Sequence, residues 1–151
     1  MQLRLLALLG AFAAARPAAA QVSVTATRDL AFGVVIVGVP SSVAPSHPTK
    51  SGQFRLTAPL NSKVQVRFTL PDELIGPAGA QLPISFGSND ALALGTAPGS
   101  TPITWNPKAT RNPQFQPSTV YNVFIGGTVT PAVNQQQGSY AATITLTITN
   151  F

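Results

Sequence analysis

GSYAATITLTITNF, Gly138 to Phe151, is the longest clean two-residue alternation in the chain. Tyr140, Ala142, Ile144, Leu146 and Ile148 share one face of an extended segment; Ala141, Thr143, Thr145, Thr147 and Thr149 share the other, because successive strand side chains point to opposite sides. Threonine is a strong strand former, so the outer face is wettable without weakening the strand. The inner face needs an apolar layer, and a one-residue slip would turn it to solvent. The stretch therefore predicts a half-buried strand. It also sets a row of backbone donors and acceptors along both flanks, to be paired within the chain or offered to another one.

The same period recurs upstream. Val22, Val24 and Ala26 alternate with Ser23, Thr25 and Thr27, and after Arg28-Asp29 the parity continues through Leu30, Phe32, Val34 and Ile36. Val34 to Val37 is apolar at every position, which predicts a central strand covered on both sides. Phe54-Arg55-Leu56 is a short strand stopped by Pro59. Val64, Val66, Phe68 and Leu70 alternate with Gln65, Arg67 and Thr69, and Leu82, Ile84 and Phe86 repeat the pattern. Leu92 to Leu94 and Ile103 to Trp105 are shorter candidates. Thr119 to Thr130 and Ser139 to Phe151 read as a long hairpin joined by Pro131 to Gly138. Gly126-Gly127 inside the first of these predicts a bulge or a close backbone approach. Proline and glycine punctuate between the runs and nothing reads as a helix, so the expectation is an all-β antiparallel sandwich.

Residues 1–20 read as a secretory signal peptide. Arg4 gives a basic start, Leu5 to Ala15 an apolar run, and Ala18-Ala19-Ala20 a small-residue cleavage site. The run is about half the length of a membrane-spanning helix, and no later stretch is longer. The expected organisation is a signal peptide at 1–20 and a single β-sandwich domain at 21–151, exported to the periplasm, cell surface or medium, with no transmembrane segment. Nine basic residues less Arg4 and Arg16 leave seven against four acids, a net charge of +3. The basic residues are scattered rather than clustered, which argues against a nucleic-acid partner. Cysteine is absent, so stability rests on packing and strand pairing alone. The low charge suits a subunit packed against neighbours better than a free monomer.

Catalytic equipment is sparse. His47 is the sole histidine, set between Pro45 and Pro48, and with no cysteine the usual His/Cys metal sets are excluded. Asp72-Glu73 after Pro71, and Asn89-Asp90, are explained by turn chemistry. No serine sits in a nucleophile elbow. The chain reads as no enzyme and needs no cofactor. Trp105, Tyr121 and Tyr140 supply the ring faces a glycan would need, which keeps a self-contained secreted or periplasmic ligand-binding sandwich as the alternative reading.

Four short stretches carry a resemblance: Leu30-Ala31-Phe32-Gly33, Gly52 to Leu56, Ile125 to Val129, and Gly138-Ser139-Tyr140 with its alternating tail. Over the whole 21–151 region they resemble the exported bacterial family called domain of unknown function 4402, and more distantly spore coat protein U-like and chaperone–usher pilin subunits. The resemblance implies an immunoglobulin-like, pilin-like sandwich, either complete or one strand short. It also implies a structural or adhesive surface subunit that assembles with copies of itself or related subunits, aided by a periplasmic chaperone. On that reading Tyr140, Ile144, Leu146 and Ile148 wall a groove, and Val22, Val24 and Ala26 are the donated segment. The physical basis is β-augmentation, in which main-chain hydrogen bonds pair the strands and alternate side chains fill pockets.

Overall fold

The computed structural model describes residues 21–111 and 118–150; residues 1–20, expected to be a signal peptide, lie outside them. Eleven strands form among these residues: β1 (Ser23–Arg28), β2 (Ser41–Val43), β3 (Gly52–Thr57), β4 (Val64–Thr69), β5 (Glu73–Ile75), β6 (Gln81–Ser85), β7 (Ala91–Gly95), β8 (Ile103–Trp105), β9 (Val120–Ile125), β10 (Gly127–Val129) and β11 (Thr145–Asn150). The one helical element among them is a 3-10 turn at Pro77–Gly79. The protein is all-β and sandwich-like, and every strand pair is antiparallel.

The first sheet has the order β1-β3-β9-β7-β8; the second layer is made of a four-stranded sheet, β2-β10-β6-β5, and a two-stranded one, β11-β4. The two parts of this second layer are linked by an isolated bridge between Ile75 and Ala141. Thr145 faces Thr69 on the β4 side of that junction. A continuous ladder would then set Ala141 against Glu73, yet it meets Ile75, so two extra residues bow out around Pro71, which has no N–H to offer a ladder. The strands alternate as their sequences require. Val64, Val66 and Phe68 of β4 are buried while Gln65, Arg67 and Thr69 are exposed, and Leu82 and Ile84 of β6 follow suit. Phe54, Leu56, Tyr121, Val123 and Ile125 from the first sheet meet Val64, Val66, Phe68, Leu82, Ile84, Val129 and Leu146 from the second in one core. Phe68 packs edge-on to Phe54 and stacks on Trp105, with ring centroids 5.9 and 6.4 Å away.

Three expectations are corrected. Thr119 to Thr130 is not one strand: it breaks at Gly126, β9 staying in the first sheet and β10 entering the second. The glycine itself is explained by close backbone approach, since a Cβ there would overlap the Val43 carbonyl and lie 2.7 Å from Pro45 N. The hairpin with the chain's last strand does not form. β9 lies between β3 and β7, and β10 between β2 and β6, so neither has a free flank, and β11 pairs with β4 instead. Val34 to Val37 is no covered central strand: the segment belongs to no strand and Val34 is 99 % exposed. It is the crossover that carries the chain from the edge of one sheet to the edge of the other. Left-handed glycines turn it at both ends, Gly33 at φ 74° and Gly38 at φ 73°.

Leu56, 1 % exposed at the centre of the core, sets a stability test. Leu56→Ala should lower the unfolding free energy of the 21–151 chain by about 2–5 kcal/mol, read from the denaturant midpoint. Gly126→Ala should cost at least about 1–3 kcal/mol, because backbone rather than a movable side chain stands in the way.

Candidate functional site: an open cleft between the sheets

Two stretches of backbone near the edges of the sheets lack ladders, and a cleft of about 960 Å³ opens between them. One lip is the crossover, residues 29–37. Ala31 N donates to Lys50 O at 2.9 Å, but among the described residues the N–H groups of Phe32 to Val37 find no backbone partner. The other lip is 138–144, where among the described residues the backbone of Ala141 alone finds backbone partners, exchanging bonds of 2.9 and 3.0 Å with Ile75. Beyond it β11 pairs with β4 along one flank; no strand pairs with its other flank among the described residues.

The floor of the cleft is the core itself. Leu82, Ile84, Ile125 and Val129, all buried, line it from below. Leu30, Phe32 and Val35 lean in from the crossover, and Leu74, Tyr140 and Ile144 from the opposite side, each half-buried against the core. Arg28 and Asp29 stand at one end, and Gln135 to Gln137 border the other side. The walls are therefore mostly apolar, with the charged residues Arg28 and Asp29 and the amides of Gln135 to Gln137 among the lining.

The second lip is held by a clasp around Tyr140. Its hydroxyl donates to Gln136 O at 2.7 Å and accepts from Gln135 Nε2 at 2.7 Å, and Gln135 Nε2 also reaches Gln81 O at 3.0 Å. The ring lies flat enough on Gly76 that a Cβ there would overlap it, and Gly138 makes room for Pro77 in the same way. Sequence alternation marks Tyr140 only as an inward residue; its partners across the turn at residues 76–81 are not visible in the sequence.

Of the four groove residues expected from the sequence, Tyr140 and Ile144 line the cleft, whereas Leu146 and Ile148 do not. Leu146 is buried opposite Phe68 and Ile148 is half-buried opposite Val66. Val24 and Ala26 lie in β1, opposite Leu56 and Phe54 of β3. Val22 and Val24 are half-buried against the core, and Ala26 is exposed at the cleft. Arg28 fixes the end of β1, with Nε on Ser51 O at 2.7 Å, a second nitrogen on Ser51 Oγ at 2.8 Å, and its guanidinium 6.0 Å from the Phe124 ring. The wall supplied by Leu30, Phe32 and Val35 and the floor from β6 and β10 were not legible as a site. Leu30 and Phe32 read as an ordinary strand face, and nothing local says that β6 and the crossover meet.

Other candidate groups fall elsewhere. His47 organises a turn, its Nδ1 accepting from Thr49 N and Lys50 N at 3.3 and 3.1 Å. Asp90 closes another, accepting from Gly87 N at 2.7 Å. Trp105 and Tyr121 are buried and Tyr140 is clasped, so these rings do not form a shared open face. Among the described residues no three His, Cys, Asp or Glu side chains cluster, and no helix is long and apolar enough to cross a membrane. No protein-family model matches the chain, and no curated protein is significantly similar to it.

The clasp has a direct consequence. Gly76→Ala should displace the Tyr140 ring and speed hydrogen exchange at the Ile75 and Ala141 amides by at least tenfold. Tyr140→Phe, which removes two hydrogen bonds and keeps the ring, should cost about 1–2 kcal/mol and accelerate the same amides less.

Proposed function

We propose that the protein is a non-enzymatic, exported structural subunit that joins a surface assembly by receiving an extended apolar segment of a neighbouring chain in its cleft. The observation that carries this reading is the conjunction at the cleft of an aliphatic floor, formed by core residues, with two lips of unpaired backbone. Open core of this kind is costly in water at roughly 25 cal/mol per Å² of apolar surface, and no disulfide offsets that cost. An inserted strand would satisfy main-chain groups on either side and cover Leu82, Ile84 and Ile144 with alternate side chains.

The Val22–Ala26 segment is the candidate donor, by its alternation and by the resemblance to pilin-like subunits. In the isolated chain it forms an edge strand on β3, so donation requires β1 to leave its own sheet. Edge strands are the ones free to do so, since a single ladder holds them. The resulting contact is head-to-tail and does not close on itself, which favours fibres over rings. A periplasmic chaperone fits this scheme as a temporary occupant of the cleft.

The test uses the 21–151 chain and a peptide copying Gln21 to Phe32. The peptide should bind, and Ala142→Arg should weaken binding at least a hundredfold while leaving the melting temperature within a few degrees, since Ala142 is exposed and lines the cleft. Ala26→Arg in the peptide should weaken it similarly. A chain that neither binds the peptide nor self-associates would sink the proposal; binding that is indifferent to Ala142→Arg would move the site elsewhere.

A further inference from the structure

β1 is weakly embedded in the first sheet. It lies at an edge with β3 as its one ladder partner, and its side chains are exposed except for Val24 and Arg28, which are half-buried. β8, the opposite edge, is pinned by the buried Trp105; β1 has no such anchor. Its C-terminal end is held by a different device. Ala26 faces Phe54 and Arg28 faces Gln53, so Thr27 is one residue too many, and a bulge of this kind re-aims the side chain that follows. Gln53 in turn faces Phe124, which puts the Arg28 guanidinium on the outer face of the sheet, 6.0 Å from that ring. From there it donates to Ser51 O at 2.7 Å, to Ser51 Oγ at 2.8 Å and to Pro48 O. The receiving turn is itself tied together. Ser51 is fully buried and its hydroxyl donates to His47 O at 2.7 Å, while His47 Nδ1 accepts from Thr49 N and Lys50 N. Lys50 O also accepts from Ala31 N at 2.9 Å, so one turn holds both the end of β1 and the start of the first lip.

We infer that Arg28 and the turn at residues 47–51 form an autoinhibitory latch, which keeps β1 on its own sheet and sets the rate at which one subunit gives its strand to the next. The inference rests on the strand-donation reading above and adds its regulation. Reach is the reason. The segment to be inserted is 22–26, so with Arg28 fastened Thr27 alone is left to carry it to another molecule, a span of about 3 Å. With Arg28 released the chain is next fastened at Ala31, and residues 27–30 span about 13 Å. Packed layers of backbone lie about 10 Å apart. The fastened arm therefore falls short of a neighbour's cleft and the released arm reaches it. Ala31 stays on Lys50 O throughout, so the donor departs without withdrawing the wall that Phe32 and Val35 give the cleft. One subunit then donates and receives at once. A strand with few buried apolar contacts opens locally without unfolding the rest. Hydrogen bonds from a charged group are stronger than neutral ones, so the guanidinium is the main fastening to be undone.

Hydrogen exchange of the 21–151 chain tests the latch, and the rate of self-association tests its role. Arg28→Met, which keeps an apolar stem over Phe124 and loses every donor, should speed exchange of the β1 amides at least tenfold and leave those of β4 and β6 unchanged. His47→Ala should do the same by altering the turn alone. Arg28→Lys keeps the charge but not the fork and should fall between; it carries the comparison where Arg28→Met does not fold. Self-association at a fixed concentration should start at least tenfold faster in Arg28→Met. Its affinity for the Gln21 to Phe32 peptide, still weakened by Ala142→Arg, should stay within twofold of the unaltered chain's. Unchanged β1 exchange in both Arg28→Met and His47→Ala overturns the latch, whether or not the peptide binds. A loosened β1 with no gain in association rate, in a chain that does bind the peptide, overturns the regulatory role and leaves the cleft reading intact. A chain that binds no peptide and does not self-associate sinks the cleft reading, and the regulatory role of the latch with it.

Discussion

Strand flanks are the scarce resource of this fold. β9 and β10 follow one another through Gly126, yet each is enclosed on both sides, β9 by β3 and β7 and β10 by β2 and β6. The alternating segment at 145–150 therefore cannot fold back on the strands that precede it. It crosses to β4, and its inward side chains meet Phe68 and Val66 there. The core closes over Leu146, and the stretch before β11, residues 138–144, is left along the cleft. The cleft is the geometrical remainder of that arrangement. It depends on Gly126, whose backbone packs where no side chain fits and lets the chain change sheets in one residue.

Much of the fold was legible because burial and period coincide. Val64, Val66 and Phe68, and Leu82, Ile84 and Phe86, alternate in sequence and are buried in the structure. The turn at Asn89-Asp90 stood out by its residue types, whereas Asp72-Glu73, read as a turn, is a bend at Asp72 followed by Glu73 opening β5. Pairing was legible only where it was local. The choice of β4 over β9 as the partner of β11 is decided by which flanks remain open, a property of the whole sheet order that no window of sequence contains. The Val34–Val37 run misled for a related reason. An unbroken apolar run has no polar face to betray which side is solvent, so a covered strand and an exposed crossover read alike; Gly33 and Gly38, both needing positive φ, were the local sign of a bend.

The cleft was half visible. Tyr140 and Ile144 lie on a face that periodicity marks as inward, but the same face runs on to Leu146 and Ile148, which are covered by β4 and the core. One side of one strand thus serves two environments, and the change falls where the ladder slips past Pro71. What holds the exposed half in place is polar and non-local. The Tyr140 hydroxyl, the Gln135 amide and the Gln81 carbonyl form a short relay across the mouth of a turn, and such relays leave no periodic trace.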